Sequence, residues 1–310
     1  MNKIFIDGKA GTTGLRIYQR LSNYSDVELI TLSDAERKNT AARKKALNQA
    51  DVAFLCLPDQ AAREAVALLD NPQTIILDTS TAHRTNSDWA YGFPELSDQH
   101  RSKIINSKRI SVPGCHASGF IALIYPLVEA GILPKSAYLS FHSLTGYSGG
   151  GKAMIAEYED SDRDKSLNSP RQYALGQYHK HLVEVKTISE LDHLPHFSPI
   201  VSGYYSGIQL TVPLFKEQLT SGKTIQDVIE VLKRKYQGPI VSYTDSPDVD
   251  GFIAANKLQG MDSMQISVAG NSDRISLLSV YDNLGKGASG AAIQCLNLIL
   301  GKDETYGLEI

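Results

Sequence analysis

Short apolar runs and amphipathic stretches alternate along the first third of the chain. Residues 3–6 (KIFI) have the length of a buried strand and run into a glycine-rich turn, and apolar positions then recur with helical spacing from Leu15. Further apolar runs at 27–32, 52–57 and 74–77 read as strands, with helical patterns over 41–49 and 60–69 among them. After a polar stretch over 85–108, residues 110–112 make one more short strand, Pro113 and Gly114 break it, and 117–129 is again helical in pattern. Strands and helices that alternate this way predict a parallel sheet with helices on both faces, since each parallel connection must cross back over the sheet.

Beyond Pro134 the pattern changes. Runs at 138–144, 200–201, 208–212, 264–269 and 275–281 read as strands with fewer helices between them, which predicts an α+β unit with a mixed or antiparallel sheet. A last helical pattern over 288–300 is long enough to pack back on the first unit. The expected fold is therefore α/β: a parallel-sheet domain made of 1–114 and 283–310, with an α+β domain over 115–282. There is no internal repeat and no low-complexity linker.

Composition narrows the partners more than the fold. With 310 residues, 42% hydrophobic and 21% charged, the chain can bury two cores. A formal net charge of -3 without a long basic run argues against nucleic acid or an anionic membrane, both of which need clustered Lys and Arg. The opening MNKIFIDGKAG turns polar too early for a secretion signal or membrane span, so the expected compartment is the cytoplasm. Three scattered cysteines, Cys56, Cys115 and Cys295, form no disulfide framework and suit a reducing compartment.

Gly8, Gly11 and Gly14 are spaced G-x-x-G-x-x-G between the first strand and the first helix. Without side chains there, a pyrophosphate can approach the backbone N–H groups and the positive helix end, so the turn is read as a dinucleotide site. The second strand leads into Ser33, Asp34, Ala35, Glu36, Arg37 and Lys38. Arg37 and Lys38 with the Ser33 hydroxyl can hold a 2′-phosphate, which favours NADP, whereas Asp34 would favour NAD.

The cysteines separate by setting. Cys56 in AFLCLP and Cys295 in AIQCLNLIL lie in apolar runs and read as small core residues. Cys115 in PGCHASG lies where a strand gives way to a helix, where the helix N-terminus favours its thiolate and can meet an oxyanion. A thiol nucleophile beside a nicotinamide cofactor points to attack on an acyl phosphate, a thioester, hydride delivery and an aldehyde product. Such a route needs an imidazole for the proton. His179 and His181 in YHKHLVEV are the best pair, with Glu184 close by to orient a ring. His116, His142, His193 and His196 read as structural or surface residues, with His116 pointing elsewhere on the turn. A zinc site built from Cys115, His179 and His181 lacks the usual supporting ligands, and no metal is expected.

The ordered motifs FIDGKAGTTGL, FLCLPDQAAREAV, LDTSTAHR, YGFPEL, PGCHASGFIALIYPLVEAGIL, SLTGYSGGGK and DNLGKGASGAAIQCLN resemble the N-acetyl-gamma-glutamyl-phosphate reductase family of arginine biosynthesis, and more closely its shorter branch. The resemblance runs nearly end to end. It implies NADPH-dependent reduction of N-acetyl-gamma-glutamyl phosphate to N-acetylglutamate semialdehyde, on a Rossmann domain joined to a glyceraldehyde-phosphate-dehydrogenase-like domain. It implies that Cys115 carries the thioester and His179 is the acid/base, with His181 and Glu184 near the substrate. Ser143 to Lys152, including Gly146, Ser148 and Gly149, would help to form the acyl-phosphate pocket. Gly8 to Gly14, with Thr12 and Thr13, would hold the pyrophosphate; Cys56, Leu57, Pro58, Ser80 and Thr81 would border the cofactor; Asn283, Gly285 and Gly287 would lie near the nicotinamide. Homo-oligomers are common in the family.

The longer branch has an arginine before the glycine that corresponds to Gly207, and here that place is Ser206, so Lys152 and Arg84 are the candidates to meet the leaving phosphate. Two other readings stand beside this one. An aspartate-semialdehyde-dehydrogenase-like enzyme would keep the cysteine and histidine but need a carboxylate for a free amino group. A nucleotide-sensing protein would have kept the fold without the chemistry.

Overall fold

Asn2–Asp7 forms β1, Thr12–Leu21 α1, Val27–Ile30 β2, Thr40–Gln49 α2, Val52–Leu55 β3, Asp59–Ala67 α3, Ile75–Asp78 β4, Ala90–Tyr91 β5, Asp98–Asn106 α4 and Arg109–Ser111 β6. The strands make one sheet in the order β2-β1-β3-β4-β6-β5, parallel at every pairing. The computed structural model describes residues 1–310, and they divide into two compact units, Met1–Gly114 with Ala288–Leu308 and Cys115–Gly287 with Glu309–Ile310.

The continuous apolar strands follow from burial on both faces. In β3, Val52 and Phe54 point into one core with Ile4, Ile6, Ile17 and Leu21, whereas Ala53 and Leu55 point into the other with Phe5, Leu47, Ala62 and Ala65. The two-residue period of a strand thus sends α1 to one face and α2 and α3 to the other. The helix starts are set by caps: the Asn39 side chain accepts the Ala42 N–H ahead of α2, and Ser97 accepts that of His100 ahead of α4.

The second unit begins with α5 at Cys115–Glu129 and continues with β7 at Ser140–Gly146, α6 at Gly151–Glu159, β8 at Arg171–Gln172, α7 at His181–Ile188, β9 at His196–Ser202, β10 at Ile208–Phe215, α8 at Ile225–Lys235, β11 at Val241–Tyr243, β12 at Met264–Gly270 and β13 at Arg274–Tyr281. Its sheet is mixed, in the order β11-β12-β13-β10-β7-β9-β8. From His116 through Ile124 every residue of α5 is buried, as expected of a helix that is apolar on all sides; it packs on β10 and β13 between α7 and α8. The chain then makes a π turn over Gly285–Ser289 and ends in α9, Gly290–Ile299, whose Ala292, Ile293, Cys295 and Leu296 complete the core around α1.

Some elements differ from the pattern reading. The polar stretch 85–108 contains β5 and α4, and α8 was not foreseen between the strands, although a Thr224/Asp227 capping box marks its start. Residues 283–287, expected with the first domain, lie with the second unit instead. The cause is local bonding: Asn283 accepts the Gly207 N–H at 2.8 Å and donates to Ser148 Oγ at 3.0 Å.

Candidate active site

In the first unit, the order of the parallel sheet reverses between β1 and β3, which is where open α/β sheets leave a crevice for a ligand. The glycine turn lies there. Gly8 has φ +90°, and a Cβ on it would stand 2.2 Å from the Cys56 carbonyl oxygen at the end of β3. Gly14 is equally constrained, since its Cβ would meet Gly8 O at 2.5 Å. The turn is closed by Gly11 N–H donating to Gly8 O at 2.9 Å. Helix α1 starts without a side-chain cap and without an acid in its first turn, and Thr12 Oγ1 is buried with no hydrogen-bond partner in the protein. Bare N–H groups, a buried hydroxyl and no competing negative charge fit a pyrophosphate. Thr13 follows in the same first turn.

The other residues expected around a dinucleotide are also set by local bonding. Ser33 donates from both N and Oγ to the Glu36 carboxylate, at 3.0 and 2.6 Å, and Arg37 pairs with Asp34 at 3.2 Å, both well exposed. Lys38 is exposed beside them. Leu57 is half-buried, and Pro58 is the N-cap residue just ahead of α3. Ser80 donates to the buried carboxylate of Asp78 from N and Oγ, at 2.9 and 2.7 Å. His83 meets the same carboxylate at 2.7 Å and stacks on Trp89. Arg84 is 7% exposed, and its guanidinium donates to the carbonyls of Val112 and Thr79 at 2.9 and 2.8 Å; this braces the ends of neighbouring strands.

The second unit gathers the reactive groups. Cys115, half-buried, is the first residue of α5 after the Pro113-Gly114 break. His116 follows it inward. Its Nδ1 pairs with Ser143 Oγ and its Nε2 with Tyr173 Oη, both at 2.8 Å. Around that ring stand His179 and His181, with centroids at 6.0 and 5.6 Å, while the two are 4.7 Å from each other. His179 Nδ1 accepts the His181 N–H at 3.2 Å, and Phe197 closes the cluster against both His116 and His179. His181 opens α7, and Glu184, three residues on, is buried on that helix.

Burial governs the charge states here. It holds the His116 imidazole down at about 3, helped by His179, and His179 down at about 4, helped by the neighbouring Lys180 cation. Both rings are therefore neutral at pH 7. Burial, with a smaller contribution from Cys115, raises the Tyr173 phenol above its usual range, so it stays protonated. Burial pushes the Cys56 thiol up to about 12, and Cys295 is buried against Gly92; neither is poised as a nucleophile.

Of the loop after β7, Ser148 is buried and bonded to Asn283. Gly146 is forced, since a Cβ would reach Tyr205 O at 2.5 Å. Gly149 and Lys152 are exposed. A Cβ on Gly285 would strike Met261 O at 2.0 Å, and one on Gly287 would approach Cys115 Cβ at 3.2 Å. Ser206, at the place of the longer branch's arginine, donates to the Asp282 carboxylate at 2.6 Å. The pattern reading missed Tyr173 and treated His116 as pointing away. It is indeed a hydrogen-bonded, buried histidine, but it lies in the middle of the cluster. His142 and His196 are exposed, and His193 stacks on Tyr138.

Comparison with known proteins places the chain in a family. Residues 3–104 match the family described as semialdehyde dehydrogenase, NAD binding domain, and 115–283 match semialdehyde dehydrogenase, dimerisation domain. A protein named N-acetyl-gamma-glutamyl-phosphate reductase from Burkholderia orbicola (strain MC0-3) is 43% identical over 305 residues, 96% of this chain and 97% of that one. Another of the same name from Brucella ovis is 43% identical over 311 residues, covering 97% and 99%. Among solved structures, an aspartate semialdehyde dehydrogenase from Francisella tularensis superposes with a TM-score of 0.73 at 14% identity, covering 97% of this chain and 100% of that one. Aspartate semialdehyde dehydrogenase II from Vibrio cholerae gives 0.72 at 15% identity, covering 97% and 98%. Identity that low speaks for the fold alone. Identity above two-fifths along nearly the whole length speaks for more: the chain belongs to the N-acetyl-gamma-glutamyl-phosphate reductase family, NADP-dependent oxidoreductases of the semialdehyde dehydrogenase type.

Proposed function

We propose that this protein reduces N-acetyl-gamma-glutamyl phosphate to N-acetylglutamate semialdehyde with release of phosphate, through a thioester on Cys115. The observation that carries the reading is the gathering of His179 and His181 around His116, the residue that follows a half-buried cysteine at a helix start, with His116 and His179 held neutral.

In this reading a neutral imidazole, His179 with His181 beside it, takes the Cys115 thiol proton. The sulfur attacks the acyl carbon, the carbon–oxygen bond to phosphate breaks, and phosphate leaves with the bonding pair. The oxyanion formed on the way is met by N–H groups of the first turn of α5. Gly8 to Gly14, with Thr12 and Thr13, hold the pyrophosphate of NADPH, which when bound supplies the hydride that takes the acyl carbon to the aldehyde level. Arg37, Lys38 and Ser33 would meet its 2′-phosphate, and Cys56, Leu57, Pro58 and Ser80 of the same unit would border it; Asn283 and Gly285 belong to the unit that carries Cys115. The imidazole returns its proton and the sulfur departs from the product carbon, restoring the free thiol. Ser143 acts by fixing His116 and Glu184 by orienting its helix neighbour His181, and the loop with Gly146, Ser148 and Gly149 shapes the acyl-phosphate pocket. Lys152, exposed on α6, is the cation offered to the leaving phosphate, since the Arg84 guanidinium already donates to two carbonyls.

Cys115→Ser tests the covalent route. The variant is expected to bind NADPH as the wild type does and to lose reduction by at least about 10³-fold, because a serine hydroxyl is scarcely ionised at neutral pH. Acid quench of the wild type with acyl phosphate alone should leave an acylated Cys115 peptide in the mass spectrum. A Ser variant that retained substantial turnover would rule the thioester out.

A further inference from the structure

Helix α5 carries a buried side-chain contact on the backbone of its first turn. Tyr281, at the end of β13, is fully buried, and its Oη donates to the Cys115 carbonyl at 2.6 Å while accepting the Gly119 N–H at 3.2 Å. These are a carbonyl and an amide four residues apart, the spacing of an α-helical hydrogen bond, so the phenol adds a side-chain partner to the backbone of the first turn. The phenol is thus lodged against the very peptide unit that carries the sulfur.

The surroundings are shaped to hold it there. A Cβ on Gly119 would stand 2.5 Å from Ser279 Oγ and 2.6 Å from Tyr281 Oη, so no larger residue leaves room for the phenol. The next residue, Asp282, is buried and accepts from Ser206 Oγ, Gly260 N and Leu284 N, each at 2.6 Å. That anchors the end of the strand, and with it the ring. Burial raises the phenol well above its usual range, which keeps the O–H a donor throughout the working pH. On another side of Cys115, Gly287 approaches so closely that its own Cβ would lie 3.2 Å from that of the cysteine.

We propose that Tyr281 is a positioning residue for the nucleophile, its phenol pinning the first turn of α5 so that the Cys115 sulfur keeps its place in the field of the helix end; this rests on the reading of Cys115 as the attacking group. The field of a helix terminus falls off within one turn. Fraying of that turn would therefore both misdirect the sulfur and weaken the stabilisation of its anion. Nothing in the proposal needs Tyr281 to touch substrate.

Tyr281→Phe keeps the ring and removes the oxygen. The readout is the rate of Cys115 alkylation by iodoacetamide from about pH 5 to about pH 9, followed on the Cys115 peptide, with neither cofactor nor substrate present. The midpoint of the variant should move upward and its rate at neutral pH should fall. In turnover, kcat should fall roughly 10- to 100-fold with KM near the wild-type value. Gly119→Ala, which crowds the same oxygen, should shift the alkylation profile the same way and serves if the first variant does not fold. A folded variant of either kind with the wild-type alkylation profile overturns the proposal. Failure of the thioester reading would look different, as a wild-type protein whose Cys115 alkylates normally but is never acylated by the acyl phosphate.

Discussion

At the scale of single residues, the histidine cluster couples chemistry to stability. His116 and His179 have folded-state pKa values near 3 and 4, below the value of about 6.5 for an exposed imidazole. The unfolded chain therefore binds protons that the folded chain refuses. Stability from these groups is complete above about pH 6.5 and is lost as pH falls toward the folded values. Thermal melts across about pH 4 to 8 should show that acid loss in the wild type and a shallower one in His116→Gln, whose amide can still reach Ser143; identical slopes would mean that other groups govern the acid limb. Cys115 could be picked out from the sequence because its neighbours, proline and glycine before and a helical pattern after, describe its setting. Tyr173 could not. Nothing in RQYALGQYHKH distinguishes it from Tyr178, which is 97% exposed while Tyr173 bonds to His116; only the fold decides which of two tyrosines faces the cluster. The same holds for Tyr281, one aromatic residue in an apolar strand.

At the scale of elements, the legible ones are those whose neighbours bury them evenly. β3 and α5 are apolar enough to be read directly, because both faces of the strand and all sides of the helix are covered. β5 has two residues and α4 carries a mostly polar sequence with one buried isoleucine, so neither leaves a periodic signal. The glycine turn was legible for another reason: its requirement is steric. Gly8→Ala should be destabilising by more than ~1 kcal/mol, since a Cβ would fall 2.2 Å from the Cys56 carbonyl and φ is +90°. The same displacement should weaken NADPH binding at least about tenfold by fluorescence titration, given the close approach the pyrophosphate requires. An alanine variant with the wild-type Kd would take the turn out of the cofactor site. The loop after β2 was less legible. Its charged residues were visible, but the Ser33 to Glu36 and Arg37 to Asp34 pairings depend on a short 3₁₀ turn.

At the scale of the whole molecule, the two sheets follow different rules, and the sequence reflects that. The parallel sheet of the first unit is apolar on both faces. The mixed sheet has one face under α5 and α8, while the other carries His142, Leu144, Gln209, Thr211, Pro213 and Phe215, half-buried or exposed, on the paired strands β7 and β10. Residues 115–283 match a family described as a dimerisation domain, and an uncovered sheet face of this kind is expected to meet a second copy. Phe215→Asp together with Thr211→Lys should shift the mass measured by light scattering toward the monomer, since buried charge costs several kcal/mol at an interface; an unchanged assembly would move the contact elsewhere. There is also a consequence for how the protein is made. The chain leaves the first unit after Gly114 and returns only at Ala288, and the returning segment supplies Ile293, Cys295 and Leu296 to the core around α1. During translation, the amino-terminal third must wait, with that side of its sheet bare, until the ribosome has delivered everything up to the final helix. The middle of the chain is free to mature first, and the cell has to shield an unfinished apolar surface for most of the time that synthesis takes.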